Sequence, residues 1–95
     1  MKYQICESIW SKTRGLMFSK KKNLVFVFNK EKRIALHMFF VFFPIDVLFL
    51  DENKRIIEIK ENFRPFSCYT SKKKAKYAVE LTENHNYKIG DKVNF

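Results

Sequence analysis

Four polar residues have types and surroundings that could support chemistry. They are an arginine beside a glycine, a histidine and an aspartate within apolar runs, and a glutamate before a leucine: Arg14, His37, Asp46 and Glu80. An arginine can bind an anionic ligand, and a histidine near a carboxylate can transfer protons. An unpaired buried charge is costly, so we favour a structural pairing of Arg14 with Asp46 or Glu80. The four residues therefore form a candidate polar cluster that either binds a ligand or stabilises the fold.

The sequence lacks the patterns that carry most enzyme chemistry. Its two histidines, His37 and His85, are too few for a His-rich metal site, and neither Cys6 nor Cys68 lies in a CxxC pair. It has no glycine-rich phosphate loop, and its acidic residues do not have the spacing of a calcium loop. We therefore predict no metal, no cofactor and no catalytic residue.

Basic residues dominate the charge of the chain. Nineteen Lys and Arg against ten Asp and Glu give a net charge of +9, and only four of the nineteen are Arg. The excess forms two clusters, Lys20, Lys21 and Lys22 with Lys30, Lys32 and Arg33, and Lys72, Lys73, Lys74 and Lys76. Such clusters attract polyanions, although base readout favours arginine. A solvated lysine surface is the simpler interpretation, and polyanion binding beside the flanking aromatic residues is the alternative.

One apolar segment, 34–50, resembles a membrane span at first sight. It has 17 residues, the lower limit for crossing a bilayer, and it contains His37, Pro44 and Asp46. Since Pro44 divides it into two pieces rich in Phe, Val and Ile, we predict two buried strands and no membrane span. The N-terminal residues have no apolar secretory segment, so we place the protein in the cytoplasm. Reduced cysteines are the simpler interpretation there, and a disulfide between Cys6 and Cys68 is the alternative.

Short β-rich segments alternate with polar turns along the chain. We expect strands at 3–6, 24–28, 34–41, 45–50, 55–60, 79–81 and 92–95, a further short strand at 67–70, a polar turn at 30–33 and helices at 8–18 and 71–77. The clearest element is the hairpin around 51–54, because Ile57 and Ile59 alternate with Glu58 and Lys60.

These elements fit one small domain. Ninety-five residues leave no room for a second core, so 1–95 is a single domain. Many short strands with at most two helices are typical of a mainly β fold. We predict a small closed or partly closed antiparallel β-barrel with one or two short helices.

Several segments match a family pattern. In chain order they are Thr13–Phe18, Leu24–Phe28, Met38 with Pro44–Asp51, Ile56–Ile59, Ala75–Leu81 and Gly90–Val93. Together they resemble the domain-of-unknown-function 192 family over nearly the whole chain. The resemblance implies one compact, mostly β domain, and it implies no activity because the family is uncharacterised.

Two positions depart from that family pattern. The polar residues that typically precede the Pro-Leu-Asp stretch are replaced here by Phe39–Phe43, so any site built on them would be lost. Asn84 stands in place of a glycine, a conservative change because Asn tolerates a left-handed backbone. If Phe39–Phe43 form an exposed apolar patch, this patch could also support a homodimer.

The observations favour a non-catalytic, cytoplasmic β-barrel module that binds an unidentified ligand or protein partner. The alternative is a protein that binds polyanions or single-stranded nucleic acid through the two lysine clusters. A third alternative is an enzyme centred on Arg14, His37 and Asp46, which would require these residues to meet in one pocket.

Overall fold

A computed structural model describes residues 3–6, 23–37, 44–64, 67–82 and 84–95, and these residues are mainly β. The strands are β1 (Tyr3–Cys6), β2 (Asn23–His37), β3 (Ile45–Leu50), β4 (Ile56–Phe63) and β5 (Cys68–Leu81). They form one sheet in the order β1-β2-β5-β3-β4. The pairing is antiparallel apart from the parallel pair of β1 and β2. The predicted mainly β fold is confirmed.

Strand β5 is the centre of this sheet. Its C-terminal half pairs with β2 on one side and β3 on the other, so that Val79 lies opposite both Val25 and Leu48. Successive strand residues face opposite sides, and both sides are covered here. One side buries Leu24, Phe26, Val47, Phe49 and Ala78, and the other buries Val25, Leu48, Leu50, Val79 and Leu81. This explains why the chain is almost continuously apolar at these positions.

Strands β2 and β5 are long and irregular where the sequence predicted interruptions. The polar turn predicted at 30–33 is wrong, because these residues continue β2. The helix predicted at 71–77 is also wrong, because these residues lie within β5. In the pairing of the two strands, residues 28–31 lie opposite Lys76 alone, and residues 71–73 lie opposite Ile34 alone. Bulges thus absorb the polar runs without ending either strand.

The predicted hairpin of β3 and β4 is confirmed, with its turn at 51–54. Asp51 Oδ1 accepts the backbone N–H groups of Asn53 and Arg55 at 2.8 and 3.0 Å, and Lys54 has a left-handed φ of 64°. Strand β4 continues to Phe63, beyond the predicted end at residue 60.

The sheet is partly closed because the first half of β5 crosses towards β4. The Tyr69 ring lies 5.9 Å from that of Phe49 and 6.3 Å from that of Phe63, between centroids. Within the described residues, the two outermost strands, β1 and β4, do not pair with each other. The barrel prediction therefore holds in its partly closed form.

The C-terminal residues run along the start of β4. The predicted strand at 92–95 is reduced to a single bridge between Arg55 and Lys92. Gly90 N–H donates to the Ile56 carbonyl at 2.8 Å, and Val93 N–H donates to the Lys54 carbonyl at 3.0 Å. This segment covers the hairpin end of β4.

The predicted helix at 8–18 and the end of the predicted strand at 34–41 lie outside the described residues. In the described part of the chain, no helix has the length and apolar character needed to cross a membrane.

Replacing Phe49 by Ala should destabilise the domain strongly. Phe49 is fully buried, and its removal leaves a cavity against Tyr69. We expect the free energy of unfolding to fall by about 3–5 kcal/mol in urea titrations. The matched control is Ile89→Ala, because Ile89 is 59% exposed, and it should change by less than about 0.5 kcal/mol. Equal losses in the two variants would contradict this packing.

Candidate functional site

The proposed polar cluster is only partly visible, and its two described carboxylates are separated. Glu80 lies opposite Val47, whereas Asp46 lies opposite Leu81, so the two acids face opposite sides of the sheet. His37 is placed in β2 opposite Cys68, at the other end of the strand from the Glu80 pairing. Arg14 lies outside the described residues.

Asp46 joins two neighbouring segments to the start of β3. Its Oδ1 accepts the backbone N–H of Asn62 at 2.9 Å, where a left-handed φ of 50° marks a bulge in β4. Its Oδ2 lies 2.9 Å from His85 Nε2. Both carboxylate oxygens of Asp46 therefore have a hydrogen-bond partner.

The His85 ring has both nitrogens occupied. Nδ1 accepts the backbone N–H of Tyr87 at 3.2 Å, so the proton is on Nε2, which donates to Asp46. The His85 side chain is only 9% exposed. In this arrangement neither nitrogen is available to exchange a proton with a substrate, so the pair acts as a clamp. Sequence reasoning missed it because the two residues are 39 positions apart and share no motif.

Glu80 is a buried acid at the centre of the sheet. It is 6% exposed and lies between Leu24 and Val47 on neighbouring strands. Burial raises the pKa of its carboxyl group to about 8, so the neutral form predominates at pH 7. Within the described part of the chain, no group donates a hydrogen bond to it. Arg14 lies outside the described residues, so its pairing with Glu80 stays a prediction.

The described parts of the two basic clusters lie on neighbouring strands. Arg33 of β2 lies directly opposite Lys74 of β5, and Lys32 lies opposite Ala75. We call the six exposed cations on these strands the basic ribbon: Lys30, Lys32, Arg33, Lys72, Lys73 and Lys74. Lys76 is half-buried, with its Nζ 5.8 Å from the centre of the Tyr77 ring, and is not part of the ribbon. Lys20, Lys21 and Lys22 lie outside the described residues.

A bulge in β5 exposes three consecutive lysines. Ser71 is buried, and its Oγ accepts the Ile34 N–H at 2.8 Å and donates to the Lys73 carbonyl at 2.8 Å. Arg33 Nε donates to the Ser71 carbonyl at 3.0 Å. In a regular strand alternate side chains would turn inwards, but these contacts replace the ladder and leave the lysine side chains in solvent.

Glu58 of β4 is the acceptor at this bulge. Its Oε1 accepts the N–H groups of Lys72 and Lys73 at 2.9 and 3.0 Å, its Oε2 also lies 3.1 Å from the Lys72 nitrogen, and the Tyr69 hydroxyl donates to Oε2. Desolvation alone would raise the pKa of Glu58, but these hydrogen bonds and the charge of Lys72 lower it overall. The hydrogen bond to Glu58, with burial, raises the pKa of Tyr69 to about 12. The pair is therefore a carboxylate and a neutral phenol at pH 7.

Aromatic rings near the ribbon are occupied by packing. The Phe28 ring packs on the core with Lys32 Nζ 5.3 Å from its centre. The Tyr69 ring packs on Phe49 and Phe63. Among the described residues the one exposed large hydrophobic side chain is Ile89, far along the chain from the ribbon. The ribbon as described thus presents charge rather than stacking surfaces.

Two open hollows lie elsewhere on the described surface. One, of about 610 Å³, is lined by 52–55 and 92–95. The other, of about 250 Å³, is lined by residues 60, 62–64 and 67–69. Neither is lined by Asp46 or Glu80. No group of three His, Cys, Asp or Glu among the described residues could hold a metal ion.

A small, partly closed β domain with a basic ribbon is thus the class of protein that the structure defines. The chain belongs to the domain-of-unknown-function 192 family, described as Uncharacterized ACR, whose model matches residues 1–95. The resemblance read from the residues is confirmed.

Two archaeal relatives match nearly the whole chain. The chain is 35% identical to a UPF0127 protein of Pyrococcus horikoshii, over 97% of this chain and 85% of that protein. It is 34% identical to a UPF0127 protein of Thermococcus sibiricus, over 97% of this chain, and it spans 64% of that relative's length.

Two crystal structures share the fold. A protein of unknown function from Novosphingobium aromaticivorans matches with a TM-score of 0.85 and 20% identity, over 98% of this chain and 74% of that one. A Sinorhizobium meliloti protein, provisionally described as a transcription regulator, matches with a TM-score of 0.78 and 24% identity, over 83% and 66%. At these identities the likeness concerns the fold alone.

Replacing Glu80 by Gln should flatten the pH dependence of stability. The pKa of Glu80 in the folded state, about 8, exceeds the usual glutamate value of 4.5, so the folded state retains a proton that the unfolded state releases. The free energy of unfolding of the wild type should therefore fall as the pH rises from 4.5 to 8, by on the order of 1.4 kcal/mol for each unit of pH. The variant, followed by urea unfolding at each pH, should lack this fall.

Exposed Glu61 supplies the control, because Glu61→Gln makes the same side-chain substitution at the surface. That variant should retain the wild-type slope. Parallel pH profiles for the wild type and Glu80→Gln would show that Glu80 does not carry the proton.

Proposed function

We propose that this chain is a non-catalytic binding module of the cytoplasm that holds polyanions on its basic ribbon. One observation carries the proposal: basic clusters about 40 positions apart in the sequence lie side by side on β2 and β5, with Arg33 opposite Lys74. Concentrated positive charge attracts polyanions and speeds their encounter.

The bulged geometry supports binding over a merely solvated surface. Lysines that only confer solubility need no particular arrangement, and like charges placed together repel each other. Here β5 leaves regular alternation, with buried Ser71 tied to Ile34, and the result is three adjacent exposed lysines. The irregular strand and the repulsion among the lysines are both unfavourable, and a binding role for the lysines accounts for them.

The chemistry of the ribbon favours contacts to phosphate groups rather than to bases. Five of its six cations are lysines, which act as flexible point charges. The remaining one, Arg33, already donates from Nε to the Ser71 carbonyl. Binding should therefore depend strongly on salt and weakly on nucleotide sequence.

Charge reversal on the ribbon tests the proposal. The variant Lys72→Glu with Lys74→Glu is compared with Lys88→Glu and Lys92→Glu, which reverses two exposed lysines of the C-terminal segment. Both pairs change the net charge equally. Fluorescence anisotropy with a labelled DNA duplex, and competition by heparin and polyphosphate, would measure affinity between 50 and 200 mM KCl.

We expect the ribbon variant to lose at least about tenfold in affinity. Its plot of log affinity against log salt should flatten by about 1.8, since each lost duplex phosphate contact removes about 0.9. The control should keep the wild-type slope. Equal losses in both variants, or no salt-dependent binding of any of these polyanions by the wild type, would overturn the proposal.

A further inference from the structure

We infer that the backbone amides of Lys72 and Lys73 and the hydroxyl of Tyr69 form a phosphate-binding site, which Glu58 occupies as an internal competitor until a ligand phosphate replaces it. This deepens the proposed function and rests on it. The three donors are referred to below as the oxyanion site.

The donors already converge on one anion. The Lys72 and Lys73 N–H groups reach the same carboxylate oxygen of Glu58, at 2.9 and 3.0 Å, and the Tyr69 hydroxyl donates to the other oxygen. Consecutive backbone N–H groups that point into one concavity are a known arrangement for binding phosphate and other anions. A phosphate oxygen offers these donors the same charge-assisted hydrogen bonds as a carboxylate oxygen.

A ligand can reach the oxyanion site. The amide contacts of Lys72 and Lys73 with Glu58 lie at the surface, and the side chains of both lysines are exposed. The site therefore sits within the basic ribbon, where a polyanion would be concentrated. A phosphate group bound there would gain hydrogen bonds that lysine side chains alone do not supply.

The site does not need Glu58 to keep its shape. Ser71 Oγ bonds to the Ile34 N–H and to the Lys73 carbonyl, each at 2.8 Å, and Arg33 Nε holds the Ser71 carbonyl at 3.0 Å. These bonds fix the bulge independently of β4. Glu58, by contrast, contacts the bulge only with its carboxylate. Its side chain can therefore rotate away while the backbone pairing of β4 with β3 stays intact.

The exchange replaces one anion by another. When Glu58 leaves, its carboxylate regains water and the ligand phosphate takes over the three donors, so no buried donor is left without an acceptor. While Glu58 stays, its negative charge reduces the attraction of the ribbon for a ligand. Glu58 thus sets a threshold for polyanion binding.

Glu58→Gln and Glu58→Asp test the competition, with Glu61→Gln as the matched control. Glu61 is an exposed acid on the same strand, so its replacement changes the net charge as Glu58→Gln does. Glu58→Asp keeps the charge and shortens the side chain by one methylene group. Binding of inorganic phosphate is followed by thermal shift, and binding of polyphosphate and of a DNA duplex by anisotropy competition.

We expect both Glu58 variants to gain a phosphate-dependent rise in melting temperature that the wild type and Glu61→Gln lack. Their affinity for polyphosphate should rise about tenfold, against about twofold for the control. If the affinity for duplex DNA rises equally, the ligand phosphate can come from nucleic acid. If only the affinity for polyphosphate rises, inorganic polyphosphate is the source. No gain beyond the control, or a loss, would overturn the inference.

The outcome separates this inference from the proposed function. If charge reversal of Lys72 and Lys74 weakens binding but the Glu58 variants match the control, the ribbon binds polyanions and the oxyanion site does not. If the wild type binds no polyanion but the Glu58 variants bind inorganic phosphate, the site exists and the proposed function fails.

If the Glu58 variants do not fold, the inference can be tested on the wild-type chain. In a complex saturated with polyphosphate, the side-chain carboxyl carbon of Glu58 should change its NMR shift towards that of a solvated glutamate. An unchanged Glu58 signal in the saturated complex would contradict the inference.

Discussion

The hydrogen bonds that hold the bulge of β5 are the interactions on which the surface of this protein depends. Ser71 Oγ takes the place of a backbone partner for Ile34 and donates to the Lys73 carbonyl, and Arg33 Nε donates to the Ser71 carbonyl. Without them β5 would alternate regularly, and one of the three lysines would turn towards the core. Where the first half of β5 crosses towards β4, Glu58 of β4 accepts the amides of Lys72 and Lys73.

The two halves of β5 lie in different environments. Its C-terminal half is covered on both faces and is apolar there except for Glu80, whose burial favours the neutral acid. Its N-terminal half pairs with β2 alone and carries the lysines. One strand therefore anchors the fold at one end and displays charge at the other.

Local patterning predicted the elements whose side chains alternate regularly. The β3–β4 hairpin was predictable because Ile57 and Ile59 alternate with polar residues and Asp51 supports the turn. The segments 30–33 and 71–77 were misread, because bulges hide the period of two and a serine before lysines also resembles a helix cap. The lysine clusters were visible in the sequence, but their meeting was not, since it depends on the pairing of distant strands. The Asp46–His85 clamp escaped for the same reason.

We expect a polyanion to bind this protein at the basic ribbon. Titration of the ¹⁵N-labelled chain with polyphosphate, followed by amide chemical shifts, locates the contact without any substitution. We expect the largest changes at residues 30–33 and 71–74, on two strands at once. Changes centred instead on residues 51–55 and 84–95, or spread evenly over the chain, would contradict it.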